Sequence, residues 1–136
     1  MNQILQLNKD WKLKLTPRPD AFTSSGESDG HNQWRNQDSH AARPVIPTEL
    51  PATVPGCVHL DLIAADLIDD ISINGREQDQ MWIWRTDSSY FTTIKKQDGE
   101  KRHVLKFHGL DTLATIRING EIKLQTKNMQ IGRAHV

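Results

Sequence analysis

Cysteine is nearly absent from this sequence, since Cys57 is the single one in 136 residues. A lone thiol excludes an intramolecular disulfide and a metal site built from cysteines alone. The chain also lacks a glycine-rich phosphate loop, a His-Glu-x-x-His pattern and an Asn-x-Ser/Thr acceptor for glycosylation. We therefore expect no cofactor and no metal ion.

An excess of charge of one sign is missing as well. Seventeen basic residues balance seventeen acidic ones, so the net charge is zero. Nucleic acids and anionic membranes attract proteins through a positive field, and neither is expected as a partner here. No stretch approaches the roughly 18 apolar residues of a membrane span, and the first ten residues do not resemble a signal peptide. We expect a soluble chain that is not exported, and its location is cytoplasmic or unknown.

The length and the apolar content set limits on the fold. A chain of 136 residues makes one domain and is too short for a TIM barrel, which needs about 200 to 250 residues. Apolar residues make up 36% of it, below the ~45–50% of an average globular chain. The segment 17–47 is rich in Pro, Ser, Gly, Asp, Asn and Gln, and we expect it to be a mobile insertion.

Alternation of apolar and polar residues predicts strands along most of the chain. Trp11, Leu13 and Leu15 alternate with lysines in the first of them. Further strands are expected at 71–73, 81–84, 90–94 and 104–107, and in a hairpin over 113–124. Helical spacing predicts one short helix over 57–65, where His59 and Asp61 are interpreted as a cap or surface hydrogen bonds rather than a catalytic pair. Strands and helices do not alternate, so the pattern predicts an all-β antiparallel sandwich or jelly roll with one short helix.

The hairpin has a strong turn signal at Asn119-Gly120. A two-residue loop there would place Ile116 opposite a lysine, whereas a three-residue loop that includes Ile118 places Ile116 opposite Ile122. The need to place apolar residues opposite one another therefore favours a type I turn with a bulge, in which Gly120 takes the left-handed conformation.

Two tryptophans could serve the core or a ligand. Trp82 and Trp84 are two residues apart and would share one face of the predicted strand at 81–84. They could form a stacking platform for a sugar ring, although packing in the core is the simpler interpretation.

Two motifs of the chain stand in a specific order and spacing. Residues 51–62 read PATVPGCVHLDL, and residues 107–120 read FHGLDTLATIRING, followed by Asn128-Met129. With the opening strand and the stretch from Trp82 to Tyr90, these motifs resemble the N-terminal domain of β-mannosidases in family two of the glycoside hydrolases. The resemblance covers roughly residues 6–15 and 46–129.

The resemblance implies a galactose-binding-like jelly roll at 1–130, in front of immunoglobulin-like domains and a TIM barrel with two catalytic glutamates. This chain would then hold no catalytic residue and would be inactive alone. Its partner would be a β-mannoside, bound by the full-length enzyme, with Trp82 and Glu77 as the candidate substrate-binding residues. A stand-alone carbohydrate-binding module and a structural β-sandwich that binds protein stay open as alternatives.

The chain departs from the family in a few places. Asp70 is followed by Ile71 where the family has proline, and Ser88 stands where it has tryptophan. A β-galactosidase, β-glucuronidase or glucosaminidase relative therefore stays possible. The jelly roll is expected to be incomplete at its C-terminus, and residues 131–136, which match the translation of a sequencing adapter, are expected to be a non-native tail.

Overall fold

The computed structural model describes residues 4–18, 44–70, 72–73, 78–80, 82–96, 103–127 and 133–135. The chain divides into two compact units, Met1–Ile94 and Lys95–Val136. Most of the predicted insertion at 17–47 and the candidate residue Glu77 lie outside the described residues.

The first unit contains one sheet, one α-helix and two short 3₁₀ helices among its described residues. The strands are β1 (Trp11–Pro17), β2 (Leu50–Ala52) and β3 (Thr86–Phe91), the helix is α1 (Val58–Ala64), and the 3₁₀ helices are Gln78–Gln80 and Ile83–Arg85. The sheet order is β2-β1-β3, and both pairs are antiparallel. Pro51 has no N–H for a ladder and lies in β2, a strand at the edge of this sheet, where proline is tolerated.

The core of this unit is formed by side chains from β1, β2, α1 and residues 82–83. Leu13 is 0% exposed and its lysine neighbours are exposed, so the predicted alternation of the first strand is confirmed. Leu62 on α1 is equally buried, which confirms the predicted helix with bounds one residue shorter at each end. The buried core cluster consists of Leu13, Leu50, Leu62, Trp82 and Ile83.

The predicted strand at 71–73 is wrong for the residues that the structure describes there. Ser72 and Ile73 lie in a turn, in which the Asp70 carboxylate accepts hydrogen bonds from the Ser72 N–H and hydroxyl, both at 2.8 Å. These two bonds hold the pKa of Asp70 below its usual value. An aspartate that bonds to the backbone two residues ahead favours a turn over a strand.

The predicted strand at 81–84 is also wrong for residues 82–84, the part of it that the structure describes. Ile83–Arg85 forms a 3₁₀ helix, closed by a bond from the Arg85 N–H to the Trp82 carbonyl at 3.1 Å. The Thr86 hydroxyl donates to the Ile83 carbonyl and ends this turn where β3 begins. The strand predicted at 90–94 is confirmed only for Tyr90 and Phe91, the last two residues of β3.

The second unit contains two two-stranded antiparallel sheets among its described residues. One pairs β4 (Val104–Lys106) with β7 (Arg133–His135), and the other pairs β5 (Ala114–Ile118) with β6 (Glu121–Thr126). The strand predicted at 104–107 is confirmed. β7 falls within 131–136, whose non-native origin stays a prediction.

The turn between β5 and β6 differs from the predicted one. Ile118 pairs with Glu121, so the loop has two residues, Asn119 and Gly120, and their φ angles are 51° and 85°. Positive φ at both central residues is the signature of a type I′ turn, whose twist matches that of the strands. The predicted three-residue loop is therefore wrong.

With a two-residue turn and regular pairing, Ile116 would lie opposite Lys123. A register shift further along β6 changes this pairing. Arg117 pairs with Ile122 and Ile116 pairs with Leu124, so Lys123 is the extra residue of a bulge. Ile122 consequently lies on the outer face and is 50% exposed. The bulge lies where its extra side chain, a lysine, can remain in water.

The antiparallel strands, with one α-helix among the described residues, confirm the predicted all-β antiparallel class. Within the part of the chain that the structure describes, no helix has the length and apolar content to cross a membrane.

Candidate functional site

A buried carboxylate lies between α1 and β3. Asp61 is 3% exposed, and each of its oxygens accepts one hydrogen bond. The Thr53 N–H donates to Oδ1 at 2.8 Å, and the Tyr90 hydroxyl donates to Oδ2 at 2.9 Å. The predicted surface hydrogen bond is therefore wrong for Asp61, because its carboxylate joins a loop, a helix and a strand from inside the fold.

Tyr90 is held as a permanent donor to this carboxylate. Burial raises the pKa of its phenol well above the usual value, and the hydrogen bond to Asp61 raises that pKa further. Ionisation would remove the donated proton and place two negative charges side by side. The phenol thus keeps its proton near neutral pH and donates it to the Asp61 carboxylate.

Gly56 lets the loop before α1 fold tightly. A Cβ at this position would lie 2.3 Å from the Thr53 carbonyl oxygen, a distance that backbone atoms do not tolerate. The N–H of the same Thr53 is bound by Asp61. Gly56 and Asp61 both lie within the motif at 51–62. Gly56 allows the close approach of the Thr53 carbonyl, and Asp61 binds the Thr53 N–H, so both residues hold the loop around Thr53 in place.

A cleft of about 240 Å³ opens at the end of β1. It is lined by Lys14, Leu15, Pro17, Ile46, Pro47, Thr48, Trp82 and Thr86. Trp82 is 9% exposed and belongs to the core cluster, which confirms core packing for this residue. Because Trp82 also lines the cleft, its contact with a substrate stays a prediction.

Trp84 lies apart from Trp82, since the 3₁₀ helix replaces the strand that would have put both on one face. It is 43% exposed, and the guanidinium carbon of Arg85 lies 5.1 Å from the ring centroid. Arg18 donates a hydrogen bond to the Trp84 carbonyl. The two tryptophans therefore do not form the common platform that the spacing suggested.

The surface carboxylates with described partners form ion pairs. Their pairs are Lys12 with Glu49 at 2.8 Å, Arg18 with Asp87 at 3.4 Å, and Lys123 with Glu121 at 2.7 Å. Exposed pairs of this kind stabilise a fold by at most about 1 kcal/mol. Among the described residues, no three His, Cys, Asp or Glu side chains gather as a metal site requires.

The sequence did not reveal the partners of Asp61. Tyr90 is 29 positions away in the sequence, on β3, and the fold brings its hydroxyl to 2.9 Å from the Asp61 carboxylate. A buried acid in the middle of an otherwise apolar helical face was the available signal, since such a group needs donors from elsewhere.

Comparisons with known proteins identify the family. The sequence pattern of the glycosyl hydrolase 2 galactose-binding domain-like family matches residues 23–134. Beta-mannosidase B of Aspergillus terreus is 32% identical over 98 residues, which are 71% of this chain and 11% of that protein. Beta-mannosidase B of Emericella nidulans is 32% identical over 111 residues, covering 80% of this chain and 13% of that protein. Beta-mannosidase B of Neosartorya fischeri is 33% identical over 102 residues, covering 74% of this chain and 12% of that protein.

This chain thus spans about an eighth or less of the length of these relatives. No solved structure gives a significant match. The family match covers most of the chain, and antiparallel strands with one helix fit the β-sandwich of such a domain. The chain belongs to the glycosyl hydrolase 2 galactose-binding domain-like family.

Proposed function

We propose that this chain is the N-terminal, non-catalytic domain of a β-mannosidase-type glycoside hydrolase that acts on terminal β-linked mannose. One observation carries the proposal: the matched segment covers 71% to 80% of this chain but only 11% to 13% of two beta-mannosidase B relatives. A small domain within a much larger glycosidase accounts for both figures. Its substrate would be a carbohydrate, bound by the complete enzyme.

The acidic residues support a non-catalytic role. A retaining glycosidase places two carboxyl groups about 5–5.5 Å apart across one sugar. Asp61 instead binds Thr53 and Tyr90 with its two oxygens. Glu49 and Glu121 are engaged by neighbouring lysines. Partners within the chain thus engage these three carboxylates, which supports a catalytic pair in another domain.

We propose further that Trp82 and Glu77 contribute to the mouth of the substrate pocket. Trp82 lines the cleft beside Pro17 and Thr86, and an indole surface suits the C–H face of a sugar ring. Glu77 would accept hydrogen bonds from sugar hydroxyls. Walls of this kind are often formed where domains meet.

The sugar preference tests the proposal. The complete open reading frame that contains this chain would be expressed and assayed with the 4-nitrophenyl β-glycosides of mannose, galactose, glucuronic acid and N-acetylglucosamine. We expect the highest kcat/KM with the mannoside. A higher value with any of the other three would overturn mannoside specificity while leaving the family assignment in place.

The two pocket residues are tested in the same protein. Trp82→Phe keeps an aromatic ring in the core, and Glu77→Gln keeps the side-chain shape. We expect each to raise KM for the mannoside on the order of 3- to 10-fold with a smaller change in kcat. Trp84→Phe and Glu121→Gln are the matched controls outside the cleft. Unchanged KM in folded Trp82 and Glu77 variants would leave the domain as a scaffold only.

An exposed tryptophan favours one alternative, a stand-alone carbohydrate-binding module. Trp84 presents part of its ring to solvent, with Arg85 beside it. Titration of the chain with mannose and β-1,4-mannobiose, followed by tryptophan fluorescence, would show saturable quenching if this alternative holds. That quenching would have to disappear in Trp84→Ala.

A further inference from the structure

We draw no further inference here: the strongest candidate, the cleft at the end of β1 between Lys14, Thr48 and Trp82, belongs to the pocket wall already proposed, and nothing in the described residues shows what else would occupy it.

Discussion

At the scale of single residues, the central feature is a carboxylate that the fold buries and satisfies. An unpaired buried charge costs several kcal/mol, whereas a carboxylate with a donor on each oxygen is tolerated. Asp61 has a donor on each oxygen, from the Thr53 N–H and the Tyr90 hydroxyl. Removing either donor would leave an oxygen buried without a partner, so these residues should behave as one unit.

Tyr90 can be titrated directly, because it is the single tyrosine of the chain. Burial and the hydrogen bond to Asp61 raise the pKa of its phenol, so we expect little tyrosinate absorbance near 295 nm at pH 10 to 11 in the folded protein. In urea the phenol should titrate near its ordinary value of about 10. The native state thus retains a proton that the unfolded state has lost.

The same shift predicts how stability depends on pH. The folded-state pKa lies above the unfolded one, so this contribution is fully present below about pH 10 and is lost as the pH rises further. Tyr90→Phe should reduce the free energy of unfolding at pH 7 by about 1–2 kcal/mol and flatten its fall above pH 10. A phenol that titrates near 10 in both folded and unfolded protein would show that the bond to Asp61 does not persist in solution.

Gly56 gives a second prediction at this scale. Gly56→Ala should lower the free energy of unfolding by about 1–3 kcal/mol, because its Cβ would press on the Thr53 carbonyl. Gly109→Ala is the matched control, since a Cβ there meets nothing within 4 Å. Urea titration of both variants measures the difference through the midpoint at constant m. Equal midpoints would contradict the tight loop.

At the scale of elements, the turn between β5 and β6 can be tested by its backbone angles. Asn119 and Gly120 both have positive φ, which a β-branched residue adopts only with strain. Asn119→Val and Gly120→Val should each cost on the order of 1–3 kcal/mol, whereas Asn119→Gly should be nearly neutral. Full tolerance of Asn119→Val would restore the three-residue loop, in which Gly120 alone is left-handed.

In the sheet of the first unit, Ser88 of β3 is exposed although it lies on the face that carries the buried Leu13. Ser88 pairs with Leu15 and therefore points to the same face as the buried Leu13. Ser88→Val should raise the free energy of unfolding by about 0.5–1 kcal/mol through contact with Leu15. Ser89→Val, which pairs with Lys14 on the opposite face, is the control and should gain less. A larger gain at Ser89 than at Ser88 would contradict the register of β1 and β3.

Sequence periodicity predicted the elements in which apolar and polar residues alternate with the period of a strand or a helix. Leu13 between two lysines marked β1, and Leu62 on a helical face marked α1. The aromatic, β-branched run at 81–84 misled because one backbone bond, from the Arg85 N–H to the Trp82 carbonyl, closes a 3₁₀ turn that composition does not encode. Asp87, Ser88 and Ser89 of β3 lack the β-branched or aromatic side chains that favour strands, and they form a strand by pairing with β1.

The candidate site was less predictable than the fold. The residue type of Trp82 predicts a place in the core. The cleft beside Trp82 also depends on Pro47 and Thr48, which are more than 30 positions away from Trp82 in the sequence. The apolar pattern of the hairpin predicts an irregular pairing of its strands, and the chain places that irregularity at Lys123 and not in the turn. The alternation of apolar and polar residues does not distinguish between these two bulge positions.

At the scale of the whole molecule, the chain combines an all-β fold, carboxylates engaged by partners within the chain, and membership of a family of glycoside hydrolase domains. A domain of this kind would shape or support a pocket whose reacting groups lie elsewhere in the polypeptide. Without a placed acid and nucleophile, both proton donation and covalent catalysis are lost. The chain alone and the complete gene product should therefore behave differently toward the same substrate.

The most direct measurement compares residues 1–136 with the product of the complete open reading frame in the hydrolysis of 4-nitrophenyl β-mannoside. We predict turnover by the complete product and, for 1–136, no release of chromophore above a control without protein. Hydrolysis by 1–136 that is abolished when one of its own carboxylates is replaced would contradict the non-catalytic role. A complete, folded product without activity on any β-mannoside would contradict the proposed enzyme.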